Sequence, residues 1–404
     1  MSTPLSRLRA SEELIVLCFA TFLTMAGQGV VSPVIPLFAR DFGVTAATVG
    51  LTLTVFALAR LILNVPAGII ADRYGRRYLL VGGPTITAVG MVGSGMADSI
   101  GELLVWRFVA GAGSAFYMSG AMIYLIDIAR PEQRTRYVAI NQWSLSVGFA
   151  LGPGVGGLVG AQYGLSAPFY VVGVMSMLTA VYAVVRLPET RHLAEAQDAD
   201  DVGEPMSTRS FVVSRRFLLV ALASATIFMT RAGTRGTLLP LHADEGLGWG
   251  PAEIGLVFTV TGAIALFTLL PAARAAEVIS RRFVVGFSGI FAGLGSVIIG
   301  LFVSPAGFVV GAIVMVLGTG TAGPAPAAYV ADIAPPGKRG IVVALYRSAG
   351  DVGFLAAPPL LGLLAEATSL TAAMVVAGVL VAVGGLVFVV GSHGDPAAGR
   401  SVPA

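Results

Sequence analysis

Guanidinium and carboxylate side chains stand in matched order at two places in this sequence. Gly68-Ile-Ile-Ala-Asp72-Arg73-Tyr-Gly75-Arg76-Arg77 lies between two long apolar runs, and a degraded copy, Ala273-Arg-Ala-Ala-Glu277-Val-Ile-Ser-Arg281-Arg282, follows 205 residues later, Asp72 to Glu277. Asp72 can accept hydrogen bonds or pair with a cation near the start of the next helix, and the arginines offer planar forks that suit carboxylates. Gly75 permits a tight turn, and Gly68 lets two helix ends approach. The same offset pairs Pro66 with Pro271, Asp127 with Asp332, Arg134 with Arg339, Gly148 with Gly353, Pro153 with Pro358 and Gly157 with Gly362. One register kept over about ninety residues indicates duplication.

Other ionisable residues fall inside apolar runs, where charge is costly and marks a site. Arg347 and Asp351 are four apart and share a helix face; Asp351 lies about 16 Å from Gly340, and Arg60 has a similar depth in its own run. Arg231 and Arg235 also share a face, and a cationic wall favours anionic or neutral ligands over cations. Gln28, Tyr117, Asn141, Gln142 and Trp143 offer polar and stacking contacts to a cavity; ordinary packing or an interfacial position accounts for each equally well. His192, His242 and His393 are scattered, and Cys18 is the only cysteine and lies in an apolar run. The sequence therefore implies no metal site, no disulfide and no cofactor. It holds no Ser/His/Asp set or phosphate loop, which argues against an enzyme, and no basic-aromatic surface for nucleic acid.

These groups must be positioned by helices in a bilayer. The chain has 404 residues, is 56% hydrophobic and 12% charged, and has a mean hydropathy of +0.85, too little polar surface for a soluble globule. A hydrocarbon core of about 30 Å needs roughly twenty apolar residues per helix. Twelve such runs lie near 13–39, 46–70, 78–97, 101–127, 137–160, 165–186, 216–241, 251–275, 283–303, 306–330, 340–365 and 370–391. The first follows Arg7 and Arg9 like a signal peptide, but it is too long and has no small-residue cleavage site, so it stays in the mature protein. Basic residues fall in alternate loops, which puts those loops and both termini in the cytoplasm of a cell with the protein in its plasma or inner membrane. Residues 187–214 carry Glu189, Glu195, Asp198, Asp200, Asp201 and Glu204 and read as a solvated linker. The domains are then 1–186, 187–214 and 215–404.

The stretch from Gly68 to Arg77 resembles motif A of the major facilitator superfamily. That resemblance implies an all-α membrane fold of twelve transmembrane helices in two pseudo-symmetric six-helix bundles. Asp127 resembles the family's carboxylate that pairs with the motif A arginines to latch the cytoplasmic gate. Glu277, Arg281 and Asp332 imply a second latch, weaker because Ala273, Val278 and Ser280 replace Gly68, Arg73 and Gly75. Gly148-Phe-Ala-Leu-Gly152-Pro153-Gly-Val-Gly156-Gly157 resembles motif C, associated with proton-coupled antiporters; close helix packing alone is the alternative. Glycines there make a smooth groove, and Pro153 kinks the span. Arg107, with Gly111 four residues on, resembles motif B, whose arginine is linked to proton transfer; an arginine snorkelling to the outer interface is the alternative. Pro188-Glu189-Thr190-Arg191 looks like the tetrapeptide that closes the sixth helix of many facilitators and is assigned no chemistry.

Many drug antiporters of that family place an acid in the first helix, whereas this chain has Gln28 there. The fold implied brings the second and eleventh helices together, so proton coupling falls to Asp351, held by Arg347, Arg60 or both; a static ion pair is the alternative. The resemblance implies a transporter that rocks between two halves and exports small hydrophobic or amphipathic compounds in exchange for protons. Its partners are a small-molecule substrate, protons and the lipid bilayer, and it works as a monomer. Export of sugars, lipids or anionic metabolites without protons is a second reading, and a non-transporting receptor on the same fold a third.

Overall fold

The computed structural model describes residues 4–129, 133–190, 214–321 and 339–393, together with 326, 329, 330 and 333, and all regular structure among them is helical. The first half holds α1 (Pro4–Val31), a short α2 (Ile35–Arg40), α3 (Ala46–Tyr74), α4 (Arg76–Gly95), α5 (Ile100–Ile128), α6 (Arg134–Tyr163) and α7 (Ala167–Arg186). The second half holds α8 (Arg215–Met229), a π-helical stretch (Thr230–Leu238) leading into α9 (Leu239–Leu247), then α10 (Pro251–Val278), α11 (Arg281–Leu301), α12 (Pro305–Thr321), α13 (Arg339–Ala367) and α14 (Leu370–Gly391).

Ten described spans are long and apolar enough to cross a membrane. Apolar α12, with 17 residues, and α4, with Arg76 and Arg77 in its first turn, complete the twelve expected. The first run differs from expectation, breaking into a turn at residues 32–34. Pro33 and Pro36 lack the N–H groups that a continuous helix would need there. Four helices start on serine caps, whose side chains accept from the amide three residues on: Ser99 from Glu102, Ser214 from Phe217, Ser280 from Phe283 and Ser369 from Ala372. Large apolar side chains such as Val65, Val185 and Phe267 point outward and stay exposed, a surface suited to lipid.

The chain divides into two compact units. The first comprises the described residues of Met1–Phe42, Val55–Val202 and Pro251–Thr259; the second, those of Gly43–Thr54, Gly203–Gly250 and Val260–Ala404. The first has Leu17, Leu80, Tyr117, Tyr124 and Leu187 at its core, and the second has Val220, Val284, Tyr329 and Phe388.

Glycines bring the helices of each unit into backbone contact, and the offset of 205 survives in these contacts. A methyl group on Gly90 of α4 would collide with Ala110 of α5, and one on Gly295 of α11 with Met315 of α12. Gly113 meets Thr87 as Gly318 meets Ala292, and Gly173 meets Val92 as Gly378 meets Val297. Small residues suit helices in lipid, where close van der Waals contact replaces the hydrophobic drive available in water.

Candidate functional site

The link between α3 and α4 is one residue, Gly75, at φ +105°, a left-handed conformation that side-chain-bearing residues rarely adopt. The first amides of α4 have no partner within the helix. Glu189, from the segment after α7, supplies one: its Oε1 accepts from Arg76 N at 2.9 Å and its Oε2 from Arg77 N at 3.1 Å. A carboxylate at a helix N-terminus is also favoured by the helix dipole. Gly75 is doubly required, because a Cβ there would run into that same carboxylate.

The Arg76 side chain then turns inward. Its Nε donates to Asp127 Oδ2 at 2.8 Å and its Nη1 to Ala71 O at 3.1 Å. The Thr190 hydroxyl donates to the same Asp127 oxygen at 2.9 Å. Arg76 is 5% exposed and Asp127 7%, so the pair is desolvated and holds only through these added hydrogen bonds. Asp127 stands near the C-terminus of α5, where the helix dipole disfavours an anion, and the guanidinium offsets that cost. The expected pairing of Asp127 with a motif A arginine is thus present.

Other members of the expected latch are arranged differently. Asp72, with its side chain 75% exposed, approaches Arg76 only at 3.6 Å, so it is a minor partner. Arg73 lies over the ring of its neighbour Tyr74, 5.4 Å from the centroid, outside the buried pair. Gly68 does not mediate a close approach: nothing described stands within 4 Å of where its Cβ would be, because α3 runs on past it to Tyr74. Glu189 and Thr190, given no role on sequence grounds, complete the site. In the second half Arg281 opens α11 half-buried, while the Glu277 side chain and Asp332 lie outside the described residues.

The glycine run of α6 forms two faces. Gly148, Gly152 and Gly156 press on α1, where methyl groups would collide with Phe22 O, Ala26 O and Val30 O. Gly157 presses on the start of α10 at Pro251 and Gly255, and a methyl on Gly255 would stand 2.5 Å from Pro153 O. The smooth groove expected of this run is realised, and the copy does the same in the second unit. There Gly353 packs on Ala225 and Gly362 on Ala47, and a methyl on Gly50 would stand 2.6 Å from the Pro358 carbonyl. Glu366 Oε1 accepts from Ala47 N at 2.7 Å, and Thr54 donates to Leu355 O at 2.8 Å.

Arg107 is 1% exposed and lies 4.5 Å over the Phe56 ring of α3, which removes the snorkelling alternative. Gly111 permits this, since a methyl there would meet Phe56 O. Tyr117 does not line a cavity; it is sealed in the core, its hydroxyl 3.0 Å from Thr21 Oγ1, because α1 and α5 pack through it. Asn141 is buried, Gln28 half-buried, and Gln142 and Trp143 exposed. Arg60 and Asp351 are both exposed, each at mid-length of its helix, and the Arg347 side chain lies outside the described residues. Arg231 donates to Thr319 O on α12 at 3.1 Å, and Arg235 to Thr261 Oγ1 on α10 at 3.4 Å.

The family model described as Major Facilitator Superfamily matches residues 17–241 and 220–404. Multidrug resistance protein 2 of Bacillus subtilis is 24% identical over 254 residues, 62% of this chain and 63% of that protein. Quinolone resistance protein NorA of Staphylococcus aureus is 23% identical over 252 residues, 62% and 64% of the two chains. An uncharacterized MFS-type transporter of Methanocaldococcus jannaschii is 29% identical over 181 residues, 45% and 47%. The chain thus spans between about half and two thirds of the length of these relatives. In fold it is similar to a bacterial homologue of the human lysosomal transporter Spinster in an inward-facing, unoccupied conformation, with a TM-score of 0.82 at 16% identity over 97% of this chain and 98% of that one.

Proposed function

Because this chain belongs to the Major Facilitator Superfamily, a family of multi-pass membrane transporters and not enzymes, we propose that it exports small hydrophobic or amphipathic compounds by alternating access in exchange for protons. The observation that carries this reading is the glycine run of α6, packed backbone to backbone on α1 and on the start of α10. Helices that meet through glycine present no interlocking side chains to one another, so small rotations along such a contact cost little. The similarity to a multidrug resistance protein and to a quinolone resistance protein supports the choice of cargo.

In this reading the buried Arg76–Asp127 pair, with Glu189 and Thr190, latches the cytoplasmic end of the first half, and both termini face the cytoplasm across the cell membrane. Asp351, exposed at mid-length of α13, is the proton-carrying carboxylate, with Arg347, four residues earlier in the sequence, as its candidate partner. The protein acts as a monomer. The test is norfloxacin movement in proteoliposomes under an imposed pH gradient. Gradient-driven accumulation that a protonophore collapses, and that Asp351→Asn abolishes, is expected. Movement of sugars, lipids or anionic metabolites indifferent to the gradient would replace this reading with uncoupled export.

A further inference from the structure

The seventh span does not cross as a continuous α-helix. Its middle, Thr230–Leu238, is π-helical and ends just before Pro240, which has no N–H to return to the preceding turn. The Thr237 hydroxyl donates to Ala232 O at 3.1 Å, five residues back, as a wide turn requires. Such wide turns are rare and are frequently found at functional sites.

Two guanidinium groups sit in this stretch. Arg231 is about 24 Å along the span from Arg215, near the middle of its 33 residues, and yet it is exposed. A charged guanidinium at mid-depth is costly against hydrocarbon, so its exposed side calls for water or a polar ligand. Its Nη2 is pinned by Thr319 O on α12, and its plane lies over the Phe228 ring at 5.3 Å. Both of these partners are neutral. Arg235, half-buried and held at Thr261 on α10, adds a like charge four residues on. Two cations stacked on one face repel each other, and an anion between them relieves that repulsion.

We propose that Arg231 and Arg235 form an anion-binding subsite between the π-helical stretch, α10 and α12, and that the compounds carried bear a carboxylate or sulfonate on an apolar body. This deepens the export reading and rests on it for the word carried; binding itself needs no gradient.

Purified full-length protein in detergent is titrated with 1-naphthoate, 1-naphthalenesulfonate and the neutral twin 1-naphthamide, following intrinsic fluorescence. The two anions are expected to bind at least about tenfold more tightly than the amide, the scale of one charge-assisted hydrogen bond. Arg231→Gln is expected to remove most of that difference while amide binding stays, and Arg231→Lys to restore part of it, because charge returns without the planar fork. Equal affinity for naphthoate and naphthamide in the wild type overturns the proposal. So does an Arg231→Lys protein, should Arg231→Gln not fold, that binds the anions as tightly as the wild type. Dihexanoylphosphatidylglycerol separates the sources of the anion: displacement of naphthoate by it makes the site a lipid-phosphate site and overturns the cargo assignment, and failure to displace supports it. Since no gradient is imposed, loss of proton-driven export and loss of charge selectivity are read independently.

Discussion

The helix starts at Arg76 and Arg281 occupy equivalent places in the two halves and satisfy their first amides by different means. At α4 the turn residue is Gly75, and the acceptor is Glu189, more than a hundred residues away in sequence. At α11 the residue in the place of Gly75 is Ser280, whose own hydroxyl accepts from Phe283 N at 3.0 Å. One start is capped locally and is self-sufficient; the other depends on a segment delivered from the end of α7. The remote cap ties three separate pieces of chain, the start of α4, the end of α5 and the segment after α7, into one junction, the Asp127 cluster.

Breaking the junction at its centre gives the largest expected effect. Asp127→Ala leaves the buried Arg76 guanidinium without its carboxylate and should cost about 3–5 kcal/mol, read as a lowered unfolding midpoint of the purified protein. An unchanged midpoint would mean that the pair is not desolvated as described. Glu189→Ala should cost about 1–2 kcal/mol and speed hydrogen exchange at the Arg76 and Arg77 amides, leaving Phe283 untouched. Ser280→Ala should cost about 1 kcal/mol and do the reverse, speeding exchange at Phe283 alone. If either substitution loosens both helix starts, the contrast between remote and local capping fails. Smallest of all, Arg282→Gln removes the donor to Val389 O, 2.6 Å away, and should cost about 1 kcal/mol or less in the last turn of α14.

Much of this was legible from residue types alone. Duplication and the twelve spans follow from offsets and apolar runs, because bilayer thickness and helix rise leave little freedom, whereas the pairing of Asp127 came only with the resemblance of Gly68–Arg77 to motif A. Glu189 was not legible, since its partners are backbone amides and a backbone amide leaves no mark on the sequence. The sequence says that a small residue stands at Gly68 but not that, among the described residues, none packs against it. Tyr117 carries a polar tip that suits a cavity as well as a core, and only the position of Thr21 decides between them. The π-helical stretch had a signal in Thr237 and Pro240, whose combination of back-bonding hydroxyl and missing donor unsettles a regular helix.

One contact made twice has a historical meaning. Arg77 donates to Val184 O at 2.5 Å, tying the start of α4 to the end of α7, and Arg282 donates to Val389 O, tying α11 to α14 in the same register. A strut standing at the same register in both halves is a further trace, in three dimensions, of the duplication that the constant offset of the sequence records.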